Sequence, residues 1–88
     1  MNFYDVRGLL VRRARRLRRG LGAEVWQGDR WVDYPDLNAL LRQGHRLTDA
    51  DALALLRVTR ERIGSLGPLS DDEARAALRA PRQHTEQT

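Results

Sequence analysis

The sequence predicts a small α+β domain, mainly α, with about four helices and one short β-hairpin after the first helix. Three observations predict this class. Apolar residues recur every three or four positions over most of the chain, and helix-capping patterns precede three of these segments. One short segment instead alternates around a Gly-Asp pair. The length of 88 residues indicates a single domain, here placed at residues 1–81, and the absence of cysteine excludes disulfides and thiolate chemistry.

The first element is predicted as a basic helix over residues 3–19. Asn2 suits an N-cap, and Asp5 follows three residues later as in a capping box. Gly20 and Gly22 predict where this helix stops. The apolar residues at helical spacing form the stripe Phe3, Val6, Leu10, Ala14, Leu17 and Leu21. We expect this stripe to pack on the later helices.

The second element is predicted as a β-hairpin over residues 23–34, with Gly28 and Asp29 as its two-residue turn. This register places Trp26 opposite Trp31 on one face of the hairpin. A lone hairpin is marginally stable, so we expect it to lean on a helix.

The two tryptophans allow a functional and a structural interpretation. Trp26 and Trp31 could stack on bases or anchor a protein partner. In a chain with few large hydrophobic residues, a core position for at least one ring is favoured. Glu24 and Asp33 share the face of the tryptophans, which is unusual for a buried surface. We therefore expect this face to meet arginine side chains, either from the first element or from a partner.

Three further helices are predicted at about residues 36–43, 49–63 and 71–80, followed by a flexible tail at 82–88. The last two begin with the capping patterns Thr48 with Asp51 and Ser70 with Glu73. A short helix, a turn and a longer helix carrying arginines also suggest a helix-turn-helix, although the connection 43–47 is longer than usual. This pattern is a weak indication of DNA binding.

Positive charge is concentrated at the start of the chain. Residues 1–22 contain seven arginines and one acid, whereas residues 23–88 contain nine arginines and eleven acids. A set of charges that only kept the protein soluble would be scattered. The cluster, and with it the candidate binding site, consists of Arg12, Arg13, Arg15, Arg16, Arg18 and Arg19.

These features favour a non-enzymatic accessory protein. It would bind nucleic acid, DNA or RNA, through phosphate contacts with low sequence specificity, with Trp26 or Trp31 adding stacking. The alternative is a protein-interaction module that docks its basic helix on an acidic protein surface of a larger complex. A membrane surface is disfavoured because the apolar stripe lacks tryptophan. Association with a second copy stays open.

Enzymatic chemistry has no support in the residue pattern. His45 and His84 lack neighbours at the spacing of a metal site or a catalytic triad, and no phosphate-binding glycine motif occurs. We therefore expect no catalytic residues, no metal and no cofactor. No apolar run approaches the ~20 residues of a membrane span, and no secretory segment follows Met1, so a cytoplasmic location is expected.

Overall fold

The computed structural model describes residues 2–16 and 20–81, with side chains for residues 2–13 and 22–81. These residues form a five-stranded antiparallel sheet with helices on both faces. The strand order across the sheet is β4-β3-β2-β1-β5. Along the chain the elements are β1 (Asn2–Val6), β2 (Leu9–Arg16), β3 (Gly20–Trp26), β4 (Trp31–Asp33), α1 (Leu37–Gln43), β5 (Gly44–Leu47), α2 (Asp49–Glu61) and α3 (Asp71–Arg79).

The predicted helix over residues 3–19 is wrong, because residues 2–16 form a β-hairpin whose second strand is the long β2. Arg7 and Gly8 form its turn, with φ values of 53° and 89°. Two consecutive positive φ values are typical of the type I′ turns that match the twist of paired strands. The Asp5 carboxylate, expected to cap a helix, instead accepts a hydrogen bond from the Gly8 amide at 2.7 Å.

Burial on both faces of the sheet explains why the apolar spacing resembled that of a helix. Phe3 and Leu10 lie in the core on one face, whereas Val6 and Val11 lie in the core on the other. When a strand is apolar on both faces, its period of two is hidden. The prediction of a mainly α fold is therefore wrong, since the sheet is the central layer and the three described helices cover it.

The hairpin prediction is confirmed in its register. Trp26 pairs with Trp31 across β3 and β4, and the Gln27 amide donates to the Arg30 carbonyl at 2.9 Å to close the two-residue turn. Gly28 adopts a φ of 100°, a conformation that disfavours side chains. The hairpin's strand β3 is an interior strand of the sheet.

The three later helices are confirmed within two residues at each end. Asp36, Thr48 and Ser70 accept hydrogen bonds at their N-termini from Ala39, Asp51 and Glu73 respectively, and the Ser70–Glu73 box is reciprocal. The predicted tail at 82–88 lies outside the described residues.

The connection between α1 and α2 is a β-strand and not the turn that a helix-turn-helix requires. Residues Gly44–Leu47 form β5, which pairs with β1 at the edge of the sheet. As a result α1 packs on the Val6–Val11 face through Ala39 and Leu40, whereas α2 and α3 pack on the opposite face. A helix-turn-helix needs its two helices to touch, so that prediction is wrong.

Candidate nucleic-acid interface

Strands β2 and β3 continue beyond the ends of β1 and β4, the strands on either side of them. β1 pairs with β2 as far as Arg13, and β4 pairs with β3 as far as Glu24. The Tyr34 amide adds one more hydrogen bond, to the Ala23 carbonyl. Past these points β2 and β3 pair with each other alone, within the part of the chain that the structure describes, through Ala14↔Gly22, Arg15↔Leu21 and Arg16↔Gly20. We call residues 14–22 the arginine arm.

Four of the six candidate arginines belong to this arm. Arg15 and Arg16 end β2, opposite Leu21 and Gly20. Arg18 and Arg19 are in the sequence of the connection between the two strands and lie outside the described residues. The described part of the arm, residues 14–16 and 20–22, is therefore a two-stranded extension of the sheet rather than the face of a helix.

Arg12 differs from the other candidates because it is buried, with 2% of its surface exposed. Its Nε donates to Glu24 Oε1 at 2.8 Å, its Nη1 donates to the Leu78 carbonyl at 2.8 Å, and its Nη2 donates to the Ala80 carbonyl. Its guanidinium carbon lies 4.1 Å from the centroid of the Trp31 ring. These contacts are internal, so Arg12 is not available to an external phosphate and leaves the candidate site.

The environment of Arg12 explains its position. Leu78 and Ala80 end α3, where backbone carbonyls lack partners within the helix and attract cations. Burial lowers the pKa of Arg12, and the hydrogen bond and charge of Glu24 oppose this shift. Because a guanidinium stays protonated in proteins, Arg12 remains a cation that ties the sheet to α3. The expectation that the tryptophan face meets an arginine from the first element is confirmed.

Arg13, the next residue along β2, lies on the opposite face of the sheet. It pairs with Asn2 and Ala23 and is half-buried on the face of the sheet that α1 covers. Consecutive arginines in a strand therefore have opposite surroundings, which a helical wheel would not predict. Arg13 remains a candidate at the base of the arm.

Both tryptophans belong to the core. Trp26 is 4% exposed and Trp31 is 1% exposed, and their ring centroids are 5.4 Å apart. Their indole Nε1 groups donate to the Leu56 and Ala77 carbonyls at 3.2 and 2.7 Å. Because neither ring face is open to a base or a partner, both residues leave the candidate site.

Charge is distributed unequally between the faces of the sheet. The strand carboxylates Asp5, Glu24 and Asp33 lie on the face of the sheet that α2 and α3 cover. Asp5 pairs with the core residue Leu10, and Glu24 and Asp33 are each two positions from a core tryptophan on the same strand. On the α1 face, the described strand residues include Arg13 and Arg46 and no carboxylate. The strand residues on the α1 face therefore carry a net positive charge.

Apolar side chains are exposed on the same face, a feature that the sequence prediction missed. The exposed fractions are 43% for Leu9, 41% for Leu37 and 72% for Leu41. Leu9 pairs with Val6, whose side chain is in the α1 core, and the other two belong to α1. We call these three residues the α1 patch. The sequence contained no signal of this exposure, because Leu37, Leu40 and Leu41 have the i, i+3, i+4 spacing of a single buried helix face.

A groove of about 310 Å³ lies beside the loop between α2 and α3. Two arginines of α2 line it, and both have internal partners. Arg57 pairs with Asp71, and Arg60 donates to the Gly28 carbonyl at 2.9 Å and to the Gly67 carbonyl. The Arg57 hydrogen bond and charge lower the pKa of Asp71. Arg57 therefore ties α2 to the start of α3 and Arg60 holds two loops in place, and both roles are structural.

The described residues offer little for other chemistry. They contain no group of three or more acidic or histidine side chains that could hold a metal, and His45 is exposed on β5. His84 lies outside them. None of the described helices has the length and hydropathy needed to cross a membrane. Comparison with known protein families, curated proteins and solved structures finds no match for this chain.

Proposed function

We propose that this protein binds nucleic acid through phosphate contacts of the arginine arm, with low sequence specificity and without catalysis. The observation that carries the proposal is the two-stranded arm itself. It holds four arginines, and the sequence has no acid between residues 6 and 23. Each phosphate neutralised by an arginine releases counterions, which gives affinity without base recognition.

The strand register supports an external partner for these arginines. Of the four arginines in β2, Arg12 has an acidic cross-strand neighbour, Glu24. Arg13, Arg15 and Arg16 are paired with Ala23, Leu21 and Gly20 instead. Opposite charges across a strand pair are stabilising and like charges nearby are not, so a strand selected only for stability would alternate acids with these arginines.

A charge count supports the same conclusion. Six arginines occupy residues 12–19, and the carboxylates on the neighbouring strands are Asp5, Glu24 and Asp33, each engaged within the protein. Even when each carboxylate is assigned one of these arginines, three positive charges remain in the arm and its base. Guanidinium groups fit phosphate oxygens bidentately, and this favours phosphate as the compensating anion.

The test is the salt dependence of binding to labelled DNA and RNA of mixed sequence, between about 50 and 200 mM salt. Four phosphate contacts predict a slope of log affinity against log salt of roughly −3.6, and hence an affinity loss of about 150-fold over this range. The arm variant, with Arg→Gln at Arg15, Arg16, Arg18 and Arg19, should lose nearly all of this slope.

A matched control removes the same charge elsewhere. Arg→Gln at Arg42, Arg62, Arg75 and Arg79 changes four exposed arginines and also lowers the formal net charge from +4 to zero. We expect this control to keep the slope and most of the affinity. Equal losses in the two variants would show that net charge, not the arm, drives binding, and an absence of binding at low salt would exclude the proposal.

A second candidate function is docking of an acidic, amphipathic helix from a protein partner on the α1 patch. Leu9 and Leu41 offer apolar contacts, and exposed Arg7 and Arg42 belong to the segments that carry them. A second copy of the chain would place arginines against arginines, so an acidic partner suits this face better.

The second candidate can be tested with an amphipathic peptide of leucine and glutamate, and with the same peptide carrying lysine for glutamate. Amide chemical shifts should move on the α1 face with the acidic peptide alone. Leu41→Gln should weaken this binding, whereas Val58→Gln, which alters an exposed apolar residue of α2, should not. Equal responses to both peptides would exclude this function.

A further inference from the structure

We propose that the α1 face of the sheet binds single-stranded nucleic acid by stacking unpaired bases on Tyr4 and Tyr34. Arg13 and Arg46 lie beside these rings and attract the phosphates of the strand. We call these four residues the tyrosine surface. The inference rests on the proposed binding of nucleic acid and adds a second contact, made by residues outside the arginine arm. Its ligand is a single strand of DNA or RNA, because a duplex keeps its bases stacked on one another.

The strand register places the four side chains on one face of the sheet. Tyr4 packs against the α1 core and is directly opposite Arg46 of β5. Arg13 lies on the same face, on the neighbouring strand β2. Tyr34 also packs against this core, and its amide donates to the carbonyl of Ala23, the residue that pairs with Arg13. Arg13 therefore lies between the two tyrosines, which are roughly 15 Å apart at strand and residue spacings of about 4.8 and 3.4 Å.

Both tyrosine rings are half-buried, so they pack against the α1 core and keep part of their surface exposed. Their hydroxyls have no hydrogen-bond partner within the described residues, and neither oxygen is buried. A buried tyrosine usually finds a partner for its hydroxyl. On the opposite face Trp26 and Trp31 are buried and donate to helix carbonyls. The aromatic rings of the α1 face are therefore the ones that a base can reach.

The charge of this face favours an anionic strand. The described strand residues on it include Arg13 and Arg46 and no carboxylate. Arg13 makes no hydrogen bond or ion pair within the part of the chain that the structure describes. Arg46 is exposed, and its Nη2 donates to Asn2 Oδ1 at 3.0 Å. Because a guanidinium has five N–H donors, both arginines keep donors for phosphate oxygens.

Helix α1 leaves room for a strand on this face. Its seven residues are about 10 Å long, whereas five strands at ~4.8 Å spacing span roughly 19 Å. Val11 and Ala23 on the interior strands are buried, whereas Tyr4 and Tyr34 on either side of them are half-buried. Sheets that bind single-stranded nucleic acid present aromatic rings on which bases stack. Because every base has a π-face, such stacking tolerates many sequences and agrees with low specificity.

The experiment uses fluorescence anisotropy to compare two single strands of about 12 nucleotides, within the ~4–16 nucleotide range of single-strand sites. One strand is oligothymidine, and the other has stable abasic sites in place of all its bases. Stacking of one base on an aromatic ring changes affinity by roughly 5- to 150-fold, so oligothymidine should bind at least about fivefold more tightly. Phosphate contacts alone predict equal affinity, because the two strands have the same charge. Equal affinity would overturn the inference.

The double variant Tyr4→Leu, Tyr34→Leu removes both rings and keeps apolar side chains on the α1 core. It should lose the preference for oligothymidine and keep the salt slope and the affinity for a duplex. The matched control Tyr4→Phe, Tyr34→Phe retains the rings and should keep the preference, with circular dichroism verifying that both variants are folded. A preference that survives the loss of both rings would overturn their assignment. In the unaltered chain, the ring protons of both tyrosines should shift with oligothymidine and not with the abasic strand.

The outcomes separate this inference from the proposed function. Equal binding of the intact and abasic strands would remove the stacking and leave phosphate binding by the arm intact. An absence of binding to either strand and to a duplex at low salt would remove the proposed function as well. The arm variant should bind both strands more weakly and still prefer oligothymidine, because the tyrosine surface lies outside the arm.

Discussion

Replacing Arg12 with methionine should destabilise the fold far more than any other single change in the arginine cluster. The substitution removes the ion pair with Glu24 and the donors to the Leu78 and Ala80 carbonyls. It also removes the cation from the Trp31 ring. Removing one partner of a buried ion pair costs about 3–5 kcal/mol, because the other charge stays in a site of low dielectric. A domain of 88 residues has a total stability of roughly 4–13 kcal/mol, so the loss is a large fraction of it.

Urea unfolding followed by tryptophan fluorescence measures this loss, because Trp26 and Trp31 are both buried in the folded state. With an m-value of about 1 kcal/mol per molar urea, the midpoint should fall by about 3 M or more. Arg13→Met is the matched control, since it removes the same charge from the adjacent, half-buried position and should change stability by about 1 kcal/mol or less. Similar midpoints for the two variants would refute the structural role of Arg12.

A double-mutant cycle isolates the ion pair from the other contacts of Arg12. Adding Glu24→Gln to Arg12→Met should cost less than the sum of the single changes, with a coupling energy of about 0.5–3 kcal/mol. The physical reason is that the double variant no longer buries an unmatched charge. Additive effects would show that the hydrogen bonds to α3 and the contact with Trp31 carry the stabilisation instead.

The remaining predictions concern single contacts. Trp31→Phe should destabilise the protein by about 2 kcal/mol, since it removes buried surface and a donor to a helix carbonyl, and should leave DNA affinity unchanged in anisotropy measurements. Asp71 should titrate below its ordinary pKa of 3.8 in an NMR experiment, so its stabilising charge is present above that pH and lost as pH falls through the lowered pKa. Arg57→Gln should raise the Asp71 midpoint, and an unchanged midpoint would contradict the ion pair. Gly28→Ala should lower the thermal midpoint because of its positive φ and a clash with α2's C-terminal loop, whereas Gly64→Ala, with open space around it, should have little effect.

The hairpin and the later helices could be predicted because their signals are local. The turn at Gly28 needs a positive φ, and Ser70 with Glu73 satisfies the backbone groups of its own helix end. Each signal acts between residues a few positions apart.

The N-terminal strands could not be predicted from the apolar spacing alone. Phe3 and Val6 are three positions apart and would share one face of a helix, yet they belong to opposite faces of a strand that is buried on both sides. Gly8 was the signal that argued against the helix, because an interior glycine destabilises one by about 1 kcal/mol. The edge strand β5 had no local signal, since four residues become a strand only when β1 lies beside them.

Some features of the candidate site were also determined by the sequence, and others only by the tertiary structure. The sequence determined where the positive charge is and that acids are excluded from residues 6–23. It also determined that Trp26 and Trp31 are cross-strand neighbours. Composition and local register do not depend on the rest of the fold. The tertiary structure decided that Arg12 is enclosed by Glu24 and the end of α3, whereas Arg15 and Arg16 belong to a two-stranded extension. Burial and strand pairing arise between residues far apart in the chain, so neighbouring arginines of identical chemistry acquire different roles only when the sheet and helices assemble.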